Sequence, residues 1–255
     1  MSFKAQLGRP GAGPVLGAFL GLPVPALVEV MGRVGFDFVV LDGEHGVFSP
    51  EQREECLRAA GAVNLPAIVR VPDSSPCNVQ FALDAGAQGV QVPSVETPEQ
   101  ARTIVDASRF PPRGRRGFGS TTRAAGYGFV PRSDVVRKAA EEVIVVIQIE
   151  TRKGIDNLGD ILAVDGVDVV FLGTSDLSLD YGHESPSDPA LLPLLKDAMG
   201  TIRRSGKVCG LHVADWNQLP EMKGLGVGYF TVAGLTVMGR ALRRVVEEFD
   251  EVVAR

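Results

Sequence analysis

The sequence predicts an α/β protein, a single (β/α)8 barrel (a TIM barrel) over residues 1–255 with a long C-terminal helix. Three observations predict it. Eight short apolar runs recur along the chain, segments of helical periodicity alternate with them, and a chain of 255 residues is the usual extent of one such barrel.

The runs are Val15–Leu20, Asp37–Leu41, Ala67–Val71, Gly89–Val92, Val143–Glu150, Asp168–Leu172, Val208–Val213 and Gly228–Val232. They are rich in β-branched residues and apolar at consecutive positions, as strands buried on both faces are. Between them, helices are expected at Ala26–Val34, Pro50–Ala60, Ser75–Ala85, Pro98–Ser108, Gly154–Ala163, Asp188–Ser205 and Gln218–Gly224, with Leu235–Ala254 as the terminal helix. Ser49-Pro50-Glu51-Gln52 and Thr97-Pro98-Glu99-Gln100 each place a hydroxyl before a first-turn proline, which marks a helix start. Gly35, Gly86 and Gly166 fall where a helix must turn tightly into the next strand, a place for left-handed backbone. The fourth βα connection breaks the rhythm: Arg109 to Glu142 is long and carries Pro111-Pro112-Arg113-Gly114-Arg115-Arg116-Gly117. It reads as an insertion shaping the site's mouth or a subunit contact, the competing reading being an interdomain linker.

Composition narrows the function. The formal net charge is -5, which argues against a nucleic-acid or anionic-membrane surface and for a small-molecule partner. No apolar run approaches a membrane span and Met1–Pro10 lacks the order of a secretory signal, so a cytoplasmic protein is expected. Cys56, Cys77 and Cys209 show neither disulfide nor zinc spacing and read as free thiols.

The ionisable groups gather at predicted strand ends. Glu150 closes one apolar run, and Asp176 follows another through Gly173-Thr174-Ser175. Parallel barrel strands would bring both acids to one rim, where two carboxylates call for a cation; as a helix cap Asp176 would be equally at home. Leu41-Asp42-Gly43-Glu44-His45-Gly46 places one of three histidines beside two acids, a base candidate whose ring Asp42 could orient, or a structural loop contact. Arg70, inside an apolar strand, suits a carboxylate or a developing oxyanion, or an ion pair with Glu44 or Glu150. Gln148, two positions before Glu150, shares its inward face, as a ligand-orienting group or a packing hydrogen bond. Thr174 and Ser175 offer hydroxyls to a substrate carboxylate. His212 and Trp216 read as structural.

Together these motifs resemble the HpcH/HpaI-type class II aldolases, a family that includes 4-hydroxy-2-oxoheptanedioate and 2-keto-3-deoxy-sugar-acid aldolases. The matching stretches are Leu41–Gly46, Val69-Arg70-Val71, Asp84-Ala85-Gly86-Ala87 with Val92-Pro93, Pro111–Gly117, Ile149-Glu150-Thr151 and Gly173–Ser178, in order along nearly the whole chain. The resemblance implies a phosphoenolpyruvate/pyruvate-type barrel with Glu150 and Asp176 binding a divalent cation such as Mg²⁺, Mn²⁺ or Co²⁺. It further implies Arg70 on the oxo-acid, His45 assisted by Asp42 as base, and trimers or hexamers in which the terminal helix packs on a neighbour and Asp84 lies near an adjacent active site. Two departures bear on substrate choice: Gly173-Thr174-Ser175-Asp176-Leu177 stands where the family commonly has Gly-Pro-Ala-Asp-Leu, and Gly126-Tyr127-Gly128-Phe129 is less familiar.

The expected reaction is reversible cleavage of a 4-hydroxy-2-oxo acid to pyruvate and an aldehyde, with oxaloacetate decarboxylation as a side reaction. A Schiff-base route finds no lysine at a strand top, only Lys207 at the wrong end of its strand and Lys153 beyond Glu150. The rival readings are a lyase of a 3-hydroxyacyl thioester and a catalytically silent barrel that binds an oxo-acid.

Overall fold

The structure is a computed structural model that describes residues 2–7, 9, 11–213 and 215–254. Its centre is a closed barrel of eight parallel strands in sequence order. These are β1 (Val15–Leu20), β2 (Phe38–Asp42), β3 (Ala67–Arg70), β4 (Gly89–Val92), β5 (Ile144–Ile149), β6 (Val169–Leu172), β7 (Val208–His212) and β8 (Val227–Ala233). Every predicted run becomes one of them, with ends shifted by a residue or two. The helices are α1 (Phe3–Leu7), α2 (Pro25–Arg33), α3 (Pro50–Ala62), α4 (Pro76–Asp84), α5 (Pro98–Ser108), α6 (Arg132–Glu142), α7 (Arg152–Asp156), α8 (Leu158–Leu162), α9 (Thr174–Asp180), α10 (Leu192–Arg204), α11 (Leu219–Gly224) and α12 (Gly234–Val253).

Local chemistry sets the boundaries. Ser49 and Thr97 both complete capping boxes with Gln52 and Gln100, each N-cap hydroxyl accepting from the N3 backbone and each glutamine reaching back. Gly35, Gly86 and Gly166 turn the chain with φ of 96°, 96° and 92°, a backbone that a Cβ would strain.

Strand alternation sorts the core into two layers. Val15, Phe38, Val40, Ile68, Ile144, Val146, Val169, Phe171 and Tyr229 fill the barrel, with Phe38 stacked on Tyr229 at 4.3 Å between ring centroids. Their strand neighbours Val39, Leu41, Val69, Val90, Val145, Ile147, Val170 and Leu172 face outward and pack under the helices. The fill is apolar in the lower barrel and polar at the C-terminal rim.

Sequence expectation and structure differ in four places. The Gly154–Ala163 helix is two short helices, α7 and α8, meeting at Asn157, which is both C-cap and N-cap. The long connection is not unstructured: it holds a 3-10 segment at Arg123–Gly128 and helix α6, then returns to β5, which pairs directly with β4. Helix α9 begins at Thr174, and α1 precedes the barrel. Helix α12 buries only Gly234 and leaves Leu235, Val237, Leu242, Val245, Val246, Phe249 and Val252 exposed along its length. Among the described residues, no helix is long and apolar enough to cross a membrane.

Candidate active site

The C-terminal rim is built from strand ends. Asp42 ends β2, Arg70 ends β3, and the two are direct register partners. Inward-pointing at that position, Arg70 donates from Nε to Asp42 Oδ1 at 2.8 Å and from Nη2 to Oδ2 at 2.7 Å, a bidentate pair. Its third nitrogen, Nη1, lies 2.9 Å from Glu44 Oε2, and the guanidinium sits 4.8 Å over the Phe19 ring. Burial works against the charged Asp42, but the hydrogen bonds and charge of Arg70 outweigh it and hold the carboxyl below its usual range. Burial pushes Glu44 the other way: its pKa is raised, with Arg70 opposing and the charge of Glu150 adding to the rise. Glu44 Oε2 is buried with no hydrogen-bond partner, so its contact with Arg70 is one of charge.

Across the mouth, Glu150 follows β5 and is 4% exposed. Its Oε1 accepts from the Ser94 backbone N–H at 2.7 Å and the Ser94 hydroxyl at 3.1 Å, and its Oε2 accepts from Gln148 Nε2 at 2.7 Å. Gln148 in turn accepts from Gln91 Nε2, whose own Oε1 is buried and unpartnered. Ser94 makes its contact from left-handed backbone, φ 52°, unusual for a serine and of the kind that clusters at functional sites. Ile149 pairs with Leu172, so Glu150 emerges opposite Gly173. A Cβ at Gly173 would overlap Glu150 Oε2; glycine leaves the acid its place. Asp176, on the first turn of α9, projects exposed from the same rim.

Glu150 and Asp176 offer carboxylate oxygens, the donors a hard divalent cation prefers, while Gln148, its oxygen taken by Gln91, steadies Glu150 through its amide N–H. The crowding of half-buried Glu44 and buried Glu150, two acids whose charges oppose one another, is what a cation would relieve. Among the described residues no cluster of three or more His, Cys, Asp or Glu side chains encloses a metal position, so protein carboxylates alone would not fill a coordination shell. Two carboxylates with open positions are what a metal that shares its shell with substrate needs.

The family model for HpcH/HpaI aldolase/citrate lyase matches residues 16–221. A hydroxypyruvate/pyruvate aldolase of Deinococcus radiodurans is 36% identical over 98% of this chain and 90% of its own. The chain belongs to the HpcH/HpaI aldolase/citrate lyase family. A 4-hydroxy-2-oxo-heptane-1,7-dioate aldolase of Escherichia coli is 35% identical over 97% of this chain and 94% of its own. An HpcH/HpaI aldolase/citrate lyase family protein from Burkholderia cenocepacia J2315 superposes with a TM-score of 0.90, 31% identity and coverage of 97% and 98% of the two chains. The aldehyde-lyase activity expected from the sequence is the one that both curated relatives' names carry.

On this HpcH/HpaI barrel Asp42, Arg70, Gln148, Glu150, Thr174, Ser175 and Asp176 all come from the C-terminal ends of β2, β3, β5 and β6. One expectation needs correction. Asp42 does not orient the His45 ring: its oxygens are taken by Arg70 and by the backbone N–H groups of Glu44 and His45, both at 3.1 Å, so it shapes the loop. The His45 imidazole is 66% exposed, and its nearest acid is Glu44, 3.9 Å from Nε2. Asp84, which the resemblance places near an adjacent active site, lies away from this chain's own rim. It ends α4, which starts at the rim after β3 and runs to the opposite end, and there it accepts from Arg116 Nη2 at 2.7 Å. Ser94 and Gln91 are site residues to which no role was assigned from the sequence, whereas Glu44 pairs with Arg70, one of the alternatives open for that arginine. A hydroxyl just past Val92-Pro93, at a strand end, was the available signal for Ser94.

Proposed function

We propose that this protein is a metal-dependent aldolase that reversibly cleaves a 4-hydroxy-2-oxo acid to pyruvate and an aldehyde. The observation that carries the reading is the pairing of two unlike acids' sites. On one side an arginine is locked in place by Asp42 and Glu44; on the other Glu150 is fixed by Ser94 and Gln148, with Asp176 exposed at the same rim on the first turn of α9.

Glu150 and Asp176 would hold a divalent cation, Mg²⁺, Mn²⁺ or Co²⁺. Bound there, the ion supplies Lewis-acid polarisation of the 2-oxo group. Arg70, its fork fixed by Asp42, receives the oxo-acid's developing negative charge without having to reorganise. His45 removes the proton from the C4 hydroxyl, directly or through a water. As the C4 carbonyl forms, the electron pair of the C3–C4 bond passes toward C2 and its oxygen, and the aldehyde departs. Protonation at C3 then yields pyruvate. The exposure of His45 lets it return its proton to solvent between turnovers. The lysines point away from a Schiff-base route. Lys207 donates to Val164 O and Val167 O, and Lys153, 60% exposed, pairs with Glu96.

The chain is further proposed to assemble with copies of itself, as a trimer or hexamer, through the exposed apolar face of α12. Sedimentation of a Leu242→Glu, Phe249→Glu variant should show smaller particles than the parent; an unchanged size would reject α12 as the contact.

Pyruvate release from a panel of 4-hydroxy-2-oxo acids, with EDTA and with Mn²⁺ or Mg²⁺ restored, tests the activity. Release that EDTA abolishes and metal restores is expected. Binding of pyruvate with no release from any substrate would favour the silent binder, and cleavage of 3-hydroxyacyl thioesters alone the thioester lyase.

A further inference from the structure

Beside the rim lies a cavity of about 250 Å³, bounded on its near side by Thr174, Ser175 and His212 and on its far side by α10 and α11. Thr174 and Ser175 immediately precede Asp176, so a molecule held at Glu150 and Asp176 has this cavity next to it. Its floor is apolar, formed by the buried side chains of Leu195, Met199 and Met222.

The charged groups around it are of one sign. Asp188 and Glu221 line the cavity, and among the described residues no lysine or arginine does. Neither acid has a cation to spare for a ligand. Asp188 Oδ2 sits 2.8 Å from His183 Nδ1, its Oδ1 accepts from the Ala190 N–H, and Glu221 pairs with Lys196 at 2.7 Å outside the cavity. Burial lowers the pKa of His212, so its imidazole is neutral at pH 7 and can donate or accept a hydrogen bond without bringing charge. An anionic tail placed here would lose water and meet two carboxylates with only the neutral donors of Thr174, Ser175, Ser187, His212 and Gln218, and no lysine or arginine among the described residues, to offset its charge.

We propose that this cavity is the subsite for the aldehyde half of the substrate, and that it selects an uncharged aldehyde with an aliphatic body over one ending in a carboxylate. The proposal rests on the aldolase reading above. It separates this chain from what the name of the dioate aldolase from Escherichia coli says of that relative, whose substrate carries a second carboxylate at the far end.

The test is aldol addition of pyruvate to two acceptors of equal length, butanal and succinic semialdehyde, with the metal-loaded enzyme. The native chain should show kcat/KM for butanal about tenfold or more above that for succinic semialdehyde. Gln218, exposed at the edge of the cavity, is the place to add a cation without disturbing the core. Gln218→Arg should narrow or reverse the preference while the KM for pyruvate stays put. A native preference for succinic semialdehyde, or a ratio that Gln218→Arg does not move, would overturn the subsite. Exchange of the pyruvate methyl protons in D₂O, which needs no aldehyde, tells the two failures apart. Exchange with no acceptor discrimination removes the subsite alone, and no exchange together with no addition removes the aldolase reading and the subsite with it.

Discussion

At the N-terminal end of the barrel Asp168 accepts from Lys4 at 3.0 Å, from Arg109 at 3.3 Å and from the Val145 N–H at 2.9 Å, and both cations also reach the Val143 carbonyl. At the C-terminal end Glu44 and Gln91 each keep a buried oxygen without a hydrogen-bond partner, and Asp176 and His45 stand out toward solvent. One end spends its charge closing the barrel and tying α1 down. The other holds charge in reserve, which costs stability and leaves donors and acceptors for a ligand. The two ends should therefore answer mutation in opposite ways.

The largest expected effect is at the rim. Glu150→Gln keeps the shape and most of the hydrogen bonding but removes the charge, and should lower the rate of pyruvate release about 10³-fold, read by a coupled pyruvate assay, with little change in thermal midpoint. Next comes the other end: Asp168→Ala strands Lys4 and Arg109 and should cost about 3 kcal/mol in urea unfolding while kcat in the folded protein holds. A variant that lost activity without losing stability there would break the contrast. Gly173→Ala sharpens it, because the atoms nearest the new methyl all belong to Glu150; activity should fall about tenfold with a smaller effect on folding. The smallest effect is in acid. Asp42 is held below its ordinary pKa of 3.8, so its contribution to stability is fully present above that pH and is lost as pH falls through the lowered value. The stability gap between the native chain and Asp42→Asn should stay constant at higher pH and close below it, as urea midpoints would show.

The barrel was legible because parallel strands buried on both faces leave uninterrupted β-branched runs such as Ile144–Ile149, and because capping boxes at Ser49 and Thr97 fix where helices begin. Helix α6 was not, since among its residues only Val135 is buried and a mostly polar helix leaves no apolar stripe to read. At the site, residue types at strand ends were enough to collect Glu150, Asp176, Arg70 and the Asp42–His45 loop. Who pairs with whom was not: the partner of Asp42 follows from the β2–β3 register, which places Arg70 directly opposite it, and local spacing favours the nearer His45. Ser94 stayed hidden for a similar reason. Its contact with Glu150 joins residues 56 apart and depends on a left-handed turn at a serine, which composition does not announce.

Glu150 and Asp176 are proposed to hold a divalent cation, and pyruvate to lose a methyl proton at this rim only when that cation is bound. Proton exchange at C3 of pyruvate in D₂O, followed by NMR on chelator-treated protein before and after Mn²⁺ or Mg²⁺ is restored and repeated with Glu150→Gln, tests this most directly. Exchange is expected only with metal and only with Glu150 intact, whether or not an aldehyde is present. Exchange that persists in the chelator, or that Glu150→Gln leaves unchanged, would contradict it.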